Sequence, residues 1–203
     1  MVGGLLLQAL RNDPQVREIH LVGRRVPERL GKDARLRLHP VDFSRLPQDP
    51  PWARVDRGYC CLGTTRRAAG SREAFRAVDH DAVLAFARTL RHGGTPELRT
   101  VSSVGADPAA RSFYLQVKGE TERDLAALCF PRLACFRPGL LRGPRAEFRL
   151  GERIALATAP LWQLFLQGKA RCYRPTRATD LAAALHTLPP ANGLRIWHDH
   201  LTV

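Results

Sequence analysis

Tyr114 and Lys118 stand four residues apart in a stretch, Ser112 to Cys129, whose Leu115, Val117, Leu125 and Leu128 are interleaved with charges as a helix requires. That spacing puts both side chains on one helical face, one turn apart. An ammonium beside a phenol stabilises the phenolate and lowers a pKa that is ordinarily about 10. A phenol tuned this way can pass a proton to or from a carbonyl or alcohol oxygen. The chain holds only three tyrosines and three lysines, Lys32, Lys118 and Lys169, so abundance does not explain the pair. A solvated helix face is the plainer alternative, but the plentiful arginine would have served it equally well. Ser102 and Ser103 close the preceding apolar run and are candidates to hold the same oxygen.

Short apolar runs and helical stretches alternate along the chain and would position these groups. Strands are expected at Glu18 to Val22, Leu36 to Val41, Gly58 to Leu62, Leu98 to Ser102, Leu133 to Phe136 and Leu194 to Trp197. Pro40 marks an edge strand or a strand end. Helices are expected at Gly4 to Leu10, at Ser71 to His92, at Ser112 to Cys129, at Glu152 to Gln167 and at Asp180 to Leu188. The second of these opens with Ser71 as N-cap and stops at Gly93-Gly94. Such alternation implies a parallel sheet covered on both faces, which binds ligands at the carboxyl ends of its strands. The residues just past those ends are Gly23-Arg24-Arg25, Asp42-Phe43, Leu62-Gly63-Thr64, Ser102-Ser103 and Pro138-Gly139. No acid follows Val22. In dinucleotide folds an acid there binds the ribose hydroxyls of NAD, whereas an arginine accommodates the 2′-phosphate of NADP through forked hydrogen bonds. Arg24 and Arg25 are therefore candidate NADP ligands; the alternative is two ordinary surface arginines. Leu161, Trp162, Leu164 and Phe165 fit a helix packed on the sheet better than a substrate pocket or partner surface.

Composition narrows the class. The 203 residues are 44% hydrophobic and 25% charged, suited to one globular domain. The net charge of +13 is almost all arginine, scattered rather than set in a stripe with aromatics. That argues against nucleic acid and suits a small phosphorylated partner. Cys60, Cys61, Cys129, Cys135 and Cys172 are odd in number and lack zinc-type spacing. They are expected to be buried small hydrophobes in a reducing compartment, Cys60 and Cys61 on opposite faces of a strand, with no metal bound. No apolar run approaches the roughly 18 residues of a membrane span. Met1-Val-Gly-Gly-Leu-Leu-Leu lacks the basic flank and cleavage site of a signal peptide. A cytoplasmic protein is expected.

Four runs occur in order: Cys61-Leu-Gly-Thr-Thr-Arg, Val101-Ser-Ser-Val-Gly-Ala-Asp107, Phe113-Tyr-Leu-Gln-Val-Lys-Gly-Glu120 and Phe136-Arg-Pro-Gly-Leu-Leu141. Together they closely resemble the atypical short-chain dehydrogenase/reductase group that includes the Tat-interacting oxidoreductase, over nearly the whole chain. The resemblance implies a Rossmann fold that binds NADPH. It assigns Tyr114 and Lys118 to the catalytic pair and Ser103, with Ser102 the alternative, to the catalytic serine. Arg24 then faces the 2′-phosphate, Asp42 and Phe43 form the adenine-side turn, and Leu62, Gly63 and Thr64 line the adenosine half. Pro138 and Gly139 lie beside the nicotinamide. Two features depart from the pattern. The wider superfamily often carries an asparagine in the helix before the serine strand; residues 71–92 contain none, and Asp79 lies there. The group also opens with a β-strand and a Gly-rich turn that cradles the pyrophosphate at a helix N-terminus. Only Val2-Gly3-Gly4 matches, Gly3 standing as the last of those glycines.

The expected structure is thus an α/β protein, a Rossmann-like doubly wound parallel sheet lacking the first β-strand and most of the Gly-rich turn. The start is expected to be misplaced downstream or the product truncated. One domain, 1–203, is expected, with residues from about 145 on supplying substrate-side elements. The expected activity is an NADP-dependent oxidoreductase acting on a carbonyl or alcohol. The alternatives are a non-catalytic NADPH sensor or protein-interaction module, and an inactive truncated product.

Overall fold

The computed structural model describes residues 1–26, 33–142, 175–189 and 191–198. Helix α1, Val2–Asn12, buries Val2, Leu6 and Leu7 along one face. Strand β1, Ile19–Gly23, pairs in parallel with β2, Leu36–Pro40, from Ile19 opposite Leu36 to Gly23 opposite Pro40. Among the described residues β2 has no second neighbour, so Pro40 ends an edge strand, where its missing N–H is tolerated.

Four more strands form a second parallel sheet. They are β3, Gly58–Cys60, β4, Glu97–Val101, β5, Arg132–Arg137, and β8, Gly193–His198, in the order β3-β4-β5-β8. Two short strands, β6, Leu141–Arg142, and β7, Thr176–Arg177, pair in parallel beyond the carboxyl end of β5. They are too short to leave a periodic signal in the sequence.

Helices cover both faces. On one side lie α4, Ala82–His92, and α5, Phe113–Ala126, whose Val83, Phe86, Leu90 and Leu125 pack with Cys60, Leu98, Leu133 and Cys135. On the other lie α1 and α6, Ala178–Thr187, whose Leu181, Ala182 and Leu185 pack with Leu6 and Phe136, with Cys61 against them. Cys60 and Cys61 thus face opposite cores, as period-two alternation requires. This is the doubly wound arrangement. Both α6 and β8 belong to the sheet and its cover, while the expected helix at 152–167 and Cys172 lie outside the described residues.

The stretch from Ser71 to His92 is not the single α-helix its periodicity suggests. Ser71 does cap it, its hydroxyl accepting the Ala74 N–H at 3.0 Å, and Gly94 closes it at φ +86°. Between them α3, Arg72–Arg76, passes through a π turn, Ala77–Asp81, into α4. The Thr121 hydroxyl of α5 lies 3.1 Å from the Asp79 carbonyl and 2.7 Å from that of Val117, its single proton shared between them. That tertiary contact at the widening is one no local pattern encodes. A further short helix, α2, Arg66–Ala69, precedes α3.

A cavity of about 810 Å³ separates β1 from β3. Ile19 and Leu21 line one side and Tyr59 and Cys60 the other; Leu6 of α1 and Phe86 of α4 close the two faces. Among the described residues no strand pairs with the edges that β1 and β3 turn toward it. The expected fold with a strand's place left open is the fold observed.

Candidate functional site

The carboxyl ends of the strands gather the residues singled out in the sequence. The Val41 N–H donates to the Gly23 carbonyl at 3.0 Å, which sets the Arg24-Arg25 turn beside Asp42. Both arginines are exposed, and neither makes a hydrogen bond or ion pair with a described residue. Asp42 accepts from the Ser44 N–H at 2.9 Å and the Ser44 hydroxyl at 2.8 Å. These bonds, aided by the charges of Arg45 and Arg24, hold its carboxyl below the usual carboxylate range. Phe43 differs from its neighbours: its ring enters the core and lines the cavity beside β3.

After β3 the turn Leu62-Gly63-Thr64 meets a buried charge pair. The Asp79 Oδ1 lies 2.8 Å from the Lys118 Nζ. The other carboxylate oxygen accepts the Thr64 backbone N–H at 2.7 Å. Asp79 is 1% exposed and Lys118 6% exposed. A Cβ on Gly63 would stand 3.3 Å from the Asp79 Oδ1 and 3.8 Å from the Lys118 Nζ, so glycine lets the turn sit directly on the pair. An ammonium has three donors; among the described residues Asp79 is the ion-pair partner of Lys118.

The loop that follows the Ser102-Ser103 end of β4 lies on α5 through Asp107. The Asp107 N–H donates to the Leu115 carbonyl at 3.2 Å. A Cβ on Gly119 would lie 2.2 Å from the Asp107 carbonyl carbon, so only glycine lets the loop lie this close to α5. The Ser102 hydroxyl is buried without a hydrogen-bond partner among the described residues, and the Ser103 hydroxyl donates to the Val104 carbonyl at 3.3 Å. Tyr114 is half-buried; its ring packs 5.7 Å from that of Phe75, and its hydroxyl bonds no described residue. The Pro138 carbonyl accepts the Val104 N–H at 3.0 Å, and the Gly139 N–H donates to the Thr176 hydroxyl at 3.1 Å, which pins that turn beside the serines. Gly3 lies inside α1 with Cys61 beside it, 3.3 Å from where its Cβ would stand.

Sequence reasoning missed two residues of this site. Asp79 was noted only as a departure from asparagine. Its signal was an acid in the apolar stripe that continues through Val83, Phe86 and Leu90. Gly119, in mid-helix, signalled a close backbone approach. The cysteines follow expectation only in part. Burial pushes the Cys60 thiol up to about 11 and raises Cys135 as well, but Cys129 is exposed.

Comparison with known proteins places this chain in a family. No protein-family model matches the chain. Protein HTATIP2 of Rattus norvegicus is 47% identical over 116 residues, covering 57% of this chain and 48% of that protein. Protein FMP52, mitochondrial, of Coccidioides immitis is 36% identical over 163 residues, covering 75% of this chain and 66% of that protein. Its counterpart in Emericella nidulans is 35% identical over 69% of its own length. The chain therefore spans about half of the rat protein and two thirds of the fungal ones. Among solved structures, MoeE5 in complex with UDP-glucose and NAD has a TM-score of 0.66 at 16% identity, covering 96% of this chain and 71% of that one. The UDP-glucuronic acid 4-epimerase of Bacillus cereus in complex with NAD has a TM-score of 0.67 at 13% identity, covering 98% of this chain and 75% of that one. These likenesses establish the fold.

The fungal relatives are named mitochondrial, which overturns the expectation of a cytoplasmic protein. That expectation came from the charge and hydropathy of the residues at Met1. A cellular address is read by a receptor from its own segment and leaves no mark on a folded domain. The Rossmann-type sheet, the four matching runs and the identity to FMP52 over more than two thirds of the Emericella protein converge: the chain belongs to the atypical short-chain dehydrogenase/reductase family that contains HTATIP2 and the FMP52 proteins.

Proposed function

We propose that the protein is an oxidoreductase that uses a nicotinamide dinucleotide, NADPH in preference to NADH, and acts on a carbonyl or alcohol substrate. The observation that carries this reading is Lys118. It is buried at the carboxyl end of β3, directly under the Gly63-Thr64 turn, with donors left over. A buried ammonium with donors to spare suits a ligand hydroxyl better than it suits packing. The residues present fit a dinucleotide laid across the strand ends. Arg24 and Arg25 are open to solvent for a 2′-phosphate, Asp42 and the Phe43 backbone would flank the adenine, and Leu62, Gly63 and Thr64 would support the adenosine half. Pro138 and Gly139 would lie at the nicotinamide end, and Gly3 is assigned to the pyrophosphate by its match to the Gly-rich turn.

Bound NADPH supplies a hydride to a carbonyl carbon, or its oxidised form removes one from an alcohol carbon. The protein's own part is proton transfer and orientation. The Tyr114 hydroxyl, which bonds no described residue, gives its proton to the substrate oxygen or takes it back. Lys118 reaches the nicotinamide-side ribose. Ser103 orients the substrate oxygen; the buried, unpartnered Ser102 hydroxyl is the alternative. MoeE5, which shares the fold, is known with NAD bound.

The test is turnover. NADPH oxidation is followed against a panel of aldehydes, ketones and quinones, with Tyr114→Phe as the control. The variant keeps the ring and loses the exchangeable proton, so turnover should disappear while NADPH still binds. Undiminished activity in Tyr114→Phe would refute the proton role. Nucleotide binding without turnover anywhere in the panel would favour a sensor over an enzyme.

A further inference from the structure

We infer that Asp79 is a positioning residue that locks Lys118 and the Gly63-Thr64 turn into one unit, so that the lysine is aimed only while the turn is in place. The inference rests on the reading of Lys118 given above and extends it to a residue outside that set. The argument is one of donor and acceptor count. Asp79 faces two donors, the Lys118 ammonium at 2.8 Å and the Thr64 backbone N–H at 2.7 Å. A carboxylate accepts from both through its two oxygens, whereas an asparagine offers one acceptor and one donor. Whichever way an amide turned, its NH₂ would meet an ammonium or an N–H. With Asp79 at 1% exposure, no solvent can relieve that conflict. A carboxylate is the side chain this geometry requires.

The backbone around Asp79 is fixed as well. The residue sits in the π turn, and its carbonyl lies 3.1 Å from the Thr121 hydroxyl, whose single proton it shares with the Val117 carbonyl at 2.7 Å. Val117 and Thr121 flank Lys118 on α5. The carbonyl of Asp79 is thus tied to the helix that carries the lysine, and its carboxylate to the lysine itself. Such π turns recur at functional sites.

The test reads the clamp without cofactor and then its effect. The protein contains three lysines, Lys32, Lys118 and Lys169, so ammonium signals in a proton–nitrogen NMR spectrum can be assigned by single substitutions. Lys118 is expected to give a separate, slowly exchanging ammonium signal in the wild type. Asp79→Asn should merge it with bulk exchange and leave the other two unmoved. In the folded fraction of Asp79→Asn, the Kd for NADPH should rise about tenfold or more and kcat should fall, because the lysine is no longer aimed. Asp79→Glu, which restores the second acceptor, should recover part of the affinity. Should Asp79→Asn fail to fold, Gly63→Ala loosens the pair by crowding the Asp79 Oδ1 and should broaden the same ammonium signal. A merely structural role would lower Tm and the active fraction while Kd and the Lys118 signal stayed put, and that result would overturn the proposal. So would a slow Lys118 signal that survives Asp79→Asn, or a broadened one with unchanged Kd and kcat. Failure of the catalytic reading would show separately, as undiminished turnover in Tyr114→Phe.

Discussion

Asp79 and Glu97 are both buried carboxylates paired with buried cations, at opposite ends of the sheet, and they use their partners differently. Glu97 opens β4 at 2% exposure; its oxygens lie 2.6 Å from the Arg99 Nε, 3.0 Å from the Arg57 Nε and 3.4 Å from the Arg132 Nε. Arg99 spends the rest of its fork on the end of α6, donating to the carbonyls of Leu185 and Leu188 at 2.7 Å each. These are carbonyls that a helix end leaves without intrahelical donors. Among the described residues four of the five N–H donors of Arg99 are taken, the fourth by the His186 carbonyl at 3.4 Å. Lys118, in contrast, has one ion-pair partner among the described residues and lies under a turn at the carboxyl ends of the strands. A buried cation whose donors are nearly all taken by protein groups closes the fold. One with donors to spare, at the ligand end of a parallel sheet, is set for something that is not protein.

The comparison is easiest to break at the structural end. Arg99→Met leaves Glu97 short of its principal cation and strips donors from two helix carbonyls. It should cost about 3–5 kcal/mol of stability, read as a lower midpoint in urea unfolding, with the NADPH affinity of the folded fraction unchanged. A stable Arg99→Met protein with weakened nucleotide binding would reverse the assignment of the two pairs. Next in size is Gly119→Ala. The added methyl would meet the Asp107 backbone at 2.2 Å, and relieving the overlap should cost about 1–3 kcal/mol. The displacement should appear as amide shifts from Ser103 to Asp107, with the region around Glu97 undisturbed. The smallest effect concerns the thiols. Burial raises Cys60 to about 11 and holds Cys135 protonated as well, so the reactive thiolate is scarce at neutral pH and grows only as pH climbs toward those values. Among the four described thiols, a disulfide reagent at neutral pH should therefore label exposed Cys129 first. Cys60 and Cys135 should follow only at the rate of unfolding, which Arg99→Met accelerates. Fast labelling of Cys60 in the folded wild type would show that the wall of the cavity beside β3 is open.

Much of the architecture was legible because it rests on local chemistry. Ile19–Gly23, Glu97–Val101 and Arg132–Arg137 fall within a residue or two of the apolar runs that announced them. Ser71 and Gly93-Gly94 bracket their helical stretch as capping rules require. That Tyr114 and Lys118 share a helix and that the serines follow a strand was legible for the same reason, since spacing and position along the chain are one-dimensional facts. What escaped depends on contacts between distant segments. The π turn is met at the Asp79 carbonyl by Thr121, 42 residues away. Arg99 read as one more arginine of an arginine-rich chain. Its burial depends on Leu185 and Leu188, 86 and 89 residues away. The role of Asp79 needed both Lys118 and the Thr64 N–H, and only the fold brings them together.

The central claim is that the Asp79–Lys118 pair serves a nucleotide. The most direct measurement is calorimetric titration of NADPH into the double variant Asp79→Asn/Lys118→Met, with unfolding measured alongside. Removing both charges leaves no unpaired ion, and the asparagine oxygen can still accept the Thr64 N–H. The asparagine NH₂ is left without an acceptor, so stability should fall by about 1–3 kcal/mol, less than the loss in Arg99→Met. Affinity for NADPH should fall about tenfold or more, the loss of a charge-assisted hydrogen bond to the ligand. Wild-type affinity in a double variant that unfolds as readily as Arg99→Met would contradict the account, because Lys118 would then be as structural as Arg99.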